Sequence, residues 1–168
     1  GAVRSVREPV ADLGVNCGGQ LAVLEAVRRE NPAAKVVFPG SRLQFGRVSE
    51  LPTPETHPME PLDVYAVHKL AGERYHRIYH RAFGLRTTVL RITNPYGAGQ
   101  LSDRRDYGFV NAMVQRALAG ETITIFGDGR QLRDVIYVDD LVEAMLAAAA
   151  TPATDGEAYN VGSGIGTP

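Results

Sequence analysis

The chain has one cysteine, Cys17, and no tryptophan. A single thiol can form no disulfide within the chain and no cysteine-based zinc site, which suits a reducing compartment. Lysine is scarce: Lys35 and Lys69 are the only two among 18 basic residues, and the rest are arginine. The formal net charge is −1 and the arginines form neither an arm nor a run. No strong attraction to nucleic acid or to a membrane surface is therefore written into the whole. No signal peptide is expected, and there is no apolar run of membrane-spanning length; residues 146–150 are apolar but read as a helix end. A cytoplasmic protein is expected. Internal repeats and low-complexity tracts are missing as well. So is a starting methionine, and both ends are expected to be cuts through a longer protein.

What is present is ordinary for a soluble globular chain. The 168 residues are 44% hydrophobic and 22% charged, enough for one domain with a core of its own. Residues 9–30 read as a helix: Pro9 suits a first turn, Gly18 and Gly19 weaken the middle, and Asn31-Pro32 ends it. KVVF at 35–38 reads as a strand buried on both faces of a parallel sheet. It runs into Pro39-Gly40-Ser41. After a loop at 42–60, a second helix is expected at 62–83. Its buried stripe is drawn from Val67, Leu70, Ala71 and Ile78, Glu73 and Arg77 form an exposed pair, and Gly84 caps it. RTTVLRI at 86–92 reads as a strand, ended by the turn signal Asn94-Pro95-Tyr96-Gly97.

Beyond Gly97 come a polar stretch at 98–107 and a helix at 109–119. A strand is expected at 123–126, a Gly127-Asp128-Gly129 hairpin turn after it, and a strand at 134–138. A helix at 139–150, capped by Asp139 or Asp140, and a strand at 158–161 complete the chain. The alternation of helix and strand indicates an α/β fold with a parallel sheet. Gly162-Ser163-Gly164-Ile165-Gly166 does not fit a dinucleotide fingerprint and reads as a loop.

The chemistry centres on Tyr65 and Lys69. Four residues apart on a helix, they share one face. An ammonium beside a phenol stabilises the phenolate, so the tyrosine can exchange a proton with a substrate hydroxyl. Ser41 stands at the carboxyl end of a strand, where open α/β sheets place their sites. Its hydroxyl can hold the oxygen that the tyrosine titrates; a serine ending a strand in a turn is the plainer reading. Asn94 can donate to a phosphate or serve its turn. Arg133 can clamp a phosphate bidentately or flank a strand as a solvated charge. His57, His68, His76 and His80 lack metal-ligand spacing, and no metal is expected.

With these surroundings the chain resembles the extended short-chain dehydrogenase/reductases of the nucleotide-sugar epimerase/dehydratase family. The resemblance runs through 9–16 and 21–28, FPGSRLQFG (38–46), LRITNPYGAGQ (90–100), ITIFGDGRQLRDVIYVDDLVEAM (123–145) and YNVGSG (159–164). It implies part of a Rossmann-like doubly wound parallel sheet, with residues 1–97 the C-terminal half of an NAD-binding domain. Residues 98–168 would begin a smaller substrate-binding region, with elements returning to the sheet. It implies NAD as cofactor, held by Tyr65, Lys69 and Asn16, and Ser41, Tyr65 and Lys69 as the catalytic set. Ser41, Asn94 and Arg133 would bind a nucleotide-diphosphate sugar, UDP-linked. A homodimer through helices 9–30 and 62–83 is implied too.

The expected reaction is oxidation of a sugar C4 hydroxyl and re-reduction of the keto sugar, an epimerisation. In the family's 4,6-dehydratases an Asp-Glu pair directly follows the catalytic Thr, and its sugar-acid decarboxylases keep a Glu in the second place. Here those places hold Arg42 and Leu43, which cannot shuttle a proton at neutral pH. A dehydratase or reductase of the same family, or a fragment or binding module without activity, are the other readings. The family's Gly-rich first βαβ unit should precede Gly1, so residues 1–168 alone are expected to bind NAD weakly or not at all.

Overall fold

A computed structural model describes residues 1–99 and 108–168; part of the polar stretch expected at 98–107 lies outside them. Three short helical pieces come first. Helix α1 (Ala2–Arg7) was not expected from the sequence. Helix α2 (Pro9–Leu13) has Pro9 in its first turn, as expected. The predicted single helix continues, but through a π-helical turn, Gly14–Gly18, into α3 (Gly19–Glu30). The weak point signalled by Gly18-Gly19 is thus a widened turn, not a break.

Strand β1 (Lys35–Ser41) is three residues longer than KVVF. Helix α4 (Val64–Phe83) starts at Asp63, whose carboxylate accepts from the Ala66 amide at 2.8 Å. It ends at Gly84, at φ 69°, the left-handed cap expected there. Strand β2 (Arg86–Ile92) matches its predicted span, and β3 (Asn94–Tyr96) follows. Helix α5 (Phe109–Leu118), strand β4 (Arg133–Tyr137), helix α6 (Val138–Ala150) and strands β5 (Ala158–Val161) and β6 (Gly166–Thr167) complete the chain.

One sheet has the order β1-β2-β5, all parallel; the other is β3-β4-β6, with β4 and β6 antiparallel. The middle strand β2, not β1, carries the doubly buried run: five consecutive residues of it are buried. Its side chains alternate. Thr87 and Arg91 bond α4, through the His76 carbonyl and Glu73. Thr88 bonds the Thr154 carbonyl beyond α6. Helices α4 and α6 therefore cover opposite faces, the plan of an α/β sheet. Gly72 lets α4 lie close on β1, since a Cβ there would stand 2.7 Å from the Phe38 ring.

Five expectations fail. The buried face of α4 is Ala66, Gly72, Glu73 and His76, while Val67 and Ile78 are 49% and 53% exposed. Glu73 is fully buried and pairs with Arg91, not with Arg77. Residues 123–126 are not a strand; no neighbour pairs with them among the described residues, and Phe126 is 88% exposed. Gly127-Asp128-Gly129 is accordingly a turn but joins no hairpin. Finally, α6 has Tyr137 as its N-cap with no side-chain cap, and Asp139 and Asp140 sit in its first turn, where they complement the helix dipole.

Candidate active site

Strand β1 delivers Ser41 and helix α4 delivers Tyr65 and Lys69. Ser41 is the last residue of β1 and 7% exposed. It also caps the short 3₁₀ turn Arg42–Phe45: its Oγ accepts from the Leu43 amide at 3.2 Å. This turn role leaves the hydroxyl free to serve a site as well, because that bond uses a lone pair and leaves the hydroxyl proton for another acceptor.

Tyr65 and Lys69 are one turn apart on α4, with the Lys69 ammonium 5.7 Å from the Tyr65 ring centroid. Lys69 Nζ donates to the Pro39 carbonyl at 2.9 Å and lies 5.0 Å from the Phe38 ring centroid. This bond joins the face of α4 bearing the pair to β1, two residues before Ser41. Burial lowers the Lys69 pKa, and the nearby Asp12 carboxylate opposes that shift. One N–H of the ammonium goes to Pro39; the other two have no assigned acceptor among the described residues. A half-desolvated cation with donors to spare fits the paired hydroxyls of a nucleotide ribose.

Asn16 lies in the π turn, half-buried. That turn packs against α4. The next residue, Cys17, points its thiol at the His68 carbonyl, 3.7 Å away, and Asp12 pairs with His68 Nδ1 at 2.7 Å. The residues around Asn16, Asp12 and Cys17, thus bond the residue of α4 that precedes Lys69.

Asn94 opens β3. Its Nδ2 donates to the Asp134 carbonyl at 2.6 Å, and its Oδ1 accepts from Arg42 Nη2 at 3.2 Å. Arg133 opens β4, the strand paired with β3. Burial, and then the Arg133 cation, lower the Arg42 pKa. No carboxylate pairs with either guanidinium among the described residues. Arg42 therefore connects Ser41, through the chain, with Asn94, through a hydrogen bond.

The histidines serve separately. His76 is buried, stacks on Phe38 with ring centroids 4.5 Å apart and donates to the Gly72 carbonyl at 2.9 Å. It belongs to the core. Gly162 and Ser163 form a loop around Asp134, whose carboxylate accepts from the Ser163 and Gly164 amides.

The sequence reading missed the neighbours of Ser41. Gln44 and Glu73 are fully buried and Arg91 is 2% exposed. Gln44 had a legible signal: Ser41-x-x-Gln44 is a capping-box spacing.

A parallel sheet with helices on both faces, and polar groups gathered at the carboxyl ends of its strands, is the plan on which α/β proteins bind nucleotides. Comparison with known proteins gives the family. Residues 1–162 match the NAD dependent epimerase/dehydratase family, and the chain belongs to it. It is 35% identical over 164 residues to the UDP-glucose 4-epimerase of Mycolicibacterium smegmatis, covering 98% of this chain and 52% of that protein. It resembles the UDP-glucose 4-epimerase of Thermotoga maritima, solved with UDP-glucose, at 38% identity and TM-score 0.91, over 99% of this chain and 53% of that one. It also resembles the Thermus thermophilus UDP-glucose 4-epimerase solved with NAD, at 33% identity and TM-score 0.86, over 99% and 54%. The relatives include a dTDP-glucose 4,6-dehydratase of Xanthomonas campestris, 31% identical over 168 residues, covering 95% of this chain and 46% of that protein. The chain spans about half the length of the curated relatives it matches. The family's cofactor is NAD.

Proposed function

We propose that the full-length protein is an NAD-dependent nucleotide-sugar 4-epimerase acting on a UDP-linked sugar. The observation that carries this is the Lys69–Pro39 bond, which holds the Tyr65–Lys69 face of α4 against the end of β1 that bears Ser41. In this reading Tyr65 removes the proton from the sugar C4 hydroxyl and later returns it. Ser41 donates its hydroxyl proton to the same sugar oxygen and holds it in line. Lys69 holds the charge on Tyr65 and, with Asn16 and Tyr65, binds the nicotinamide ribose. NAD, when bound, supplies the acceptor and donor of hydride. Asn94 and Arg133 bind the diphosphate.

Elimination of water would need an acid and a base beside Ser41. Arg42 is a permanent cation engaged with Asn94, and Leu43 is apolar, so oxidation and re-reduction suit this site better than dehydration. The family's dehydratases are relatives all the same, which makes product analysis the decisive test. Full-length protein incubated with UDP-glucose is expected to give UDP-galactose. Recovery of a 4-keto-6-deoxy sugar from dTDP-glucose would overturn the assignment.

Residues 1–97 are proposed as the later half of the NAD-binding domain and 98–168 as the beginning of the substrate region. The proposed homodimer rests on apolar residues left exposed on the helices of 9–30 and 62–83: Val10, Leu13, Val23, Val67 and Ile78. Sedimentation of the full-length protein checks it. No helix among the described residues is long and apolar enough to cross a membrane; a cytoplasmic location is proposed.

A further inference from the structure

Behind Ser41 lies a chain of buried polar groups that the proposed chemistry does not use. The Ser41 amide donates to Gln44 Oε1 at 2.9 Å. Gln44 Nε2 donates to Glu73 Oε2 at 2.6 Å. Arg91 grips the same carboxylate with two bonds, Nε to Oε2 at 3.0 Å and Nη2 to Oε1 at 2.7 Å. Its Nη1 donates to the Glu55 carbonyl at 3.0 Å, and its guanidinium lies 5.3 Å from the Phe45 ring centroid. The links come from four places: the end of β1, the 3₁₀ turn, the middle of α4 and the end of β2.

Two features separate this chain of bonds from ordinary core packing. First, the amide satisfies both neighbours while carrying no charge at any pH. The Ser41 N–H needs an acceptor and the Glu73 carboxylate needs a donor, so the orientation of the Gln44 amide is forced. A hydrocarbon here would leave a buried N–H and part of a buried carboxylate unpaired. Second, the far end is a bidentate ion pair inside the fold, the stiffest kind of side-chain contact. A rigid anchor is thereby connected through one amide to the backbone of Ser41, the residue proposed to hold the sugar oxygen.

We propose that Gln44 is a positioning residue for Ser41: its amide transfers the fixed position of the Glu73–Arg91 pair to the Ser41 backbone and so sets where the Ser41 hydroxyl stands. The inference rests on the assignment of Ser41 as the group that holds the sugar oxygen. Misplacing such a group by about 1 Å costs up to about a hundredfold in rate. Binding of the substrate, which in this reading draws mainly on the diphosphate contacts of Asn94 and Arg133, changes little.

The chemistry of the amide supplies the test. A neutral carboxylic acid also has one acceptor oxygen and one O–H donor, but a carboxylate has only acceptors. Gln44→Glu should therefore act as a pH-controlled replica: a proton shared with Glu73 restores the link at low pH, and its loss at higher pH sets two carboxylates against each other. Gln44→Leu removes the link at every pH.

Full-length wild type, Q44E and Q44L are compared for kcat and KM from pH 5 to 9 on UDP-glucose, with thermal melting as a check of folding. Q44L is expected to lose about ten- to a hundredfold in kcat with KM within about twofold. Q44E is expected to stay within about threefold of wild type at the acid end and to fall toward Q44L at the alkaline end, through an ionisation that wild type lacks. Folded Q44L with wild-type kcat, or Q44E that tracks Q44L at every pH, overturns the proposal. If Q44L does not fold, the Q44E profile decides alone. If wild type turns over no nucleotide sugar, the function assignment has failed, and amide exchange at Ser41 decides this one. Exchange should be slow in wild type and, in Q44E, should accelerate as the pH rises beyond the general base-catalysed trend of neighbouring amides. Equal protection at all pH in both proteins overturns the link.

Discussion

At the scale of the residue, a pair that chance spacing can supply becomes specific through what its members touch. Lys69 reaches the Pro39 carbonyl, and Ser41 is locked as both strand end and turn cap. Replacing Tyr65 by Phe in the full-length protein should lower kcat by roughly a hundredfold or more with little change in folding stability, measured by steady-state kinetics and melting. Glu73 carries the opposite kind of role. Burial alone would raise its carboxyl pKa; the Arg91 guanidinium, helped by Gln44, holds it below the ordinary value. Glu25 is drawn down to about 2 by Arg28 and by the Tyr79 hydroxyl. Depressed carboxyls contribute stability above their unfolded pKa of about 4.3 and lose it as the pH falls through the lower folded value. The melting temperature should therefore fall steeply between about pH 4 and pH 2. Glu73→Ala, which strands a buried guanidinium, should cost about 3–5 kcal/mol by denaturant unfolding at neutral pH.

At the scale of the element, the sequence was most legible where local rules suffice. β2 and β5 have their expected spans, and α4 ends at its Gly84 cap. Asp63→Ala, removing the cap at the other end, should lower stability by about 1 kcal/mol in the same unfolding assay. The failures share one cause, which is partnership across distance. Glu73 has an arginine four residues on, and helix rules pair it there; the fold gives it Arg91 from β2 instead. The buried face of α4 is built from Ala66, Gly72, Glu73 and His76, small and polar residues chosen for close approach and hydrogen bonding, so an apolar stripe could not reveal it. ITIF at 123–126 has the composition of a strand, but a strand also needs a neighbour. At the candidate site, Ser41, Tyr65 and Lys69 were singled out by spacing and by resemblance. The Arg42–Asn94 contact was not, because it joins residues 52 positions apart.

At the scale of the whole molecule, the chain contributes the carboxyl-end chemistry of a sheet, and its relatives are about twice as long. Residues 1–168 alone should bind NAD weakly or not at all by calorimetry; a tight complex would contradict the proposed division of cofactor binding. The way the chain returns on itself has another consequence. Strand β4 pairs with β3, and β5 pairs with β2, so everything after the irregular residues 121–132 is bound to what precedes it by two separate ladders. Arg130 in that stretch has a side chain 89% exposed, an open substrate for trypsin. A cut there should leave two polypeptides that travel as one particle through a sizing column and part only in denaturant. The fold would then be one that survives loss of its own continuity, and the two pieces, expressed separately, become natural halves for a split reporter.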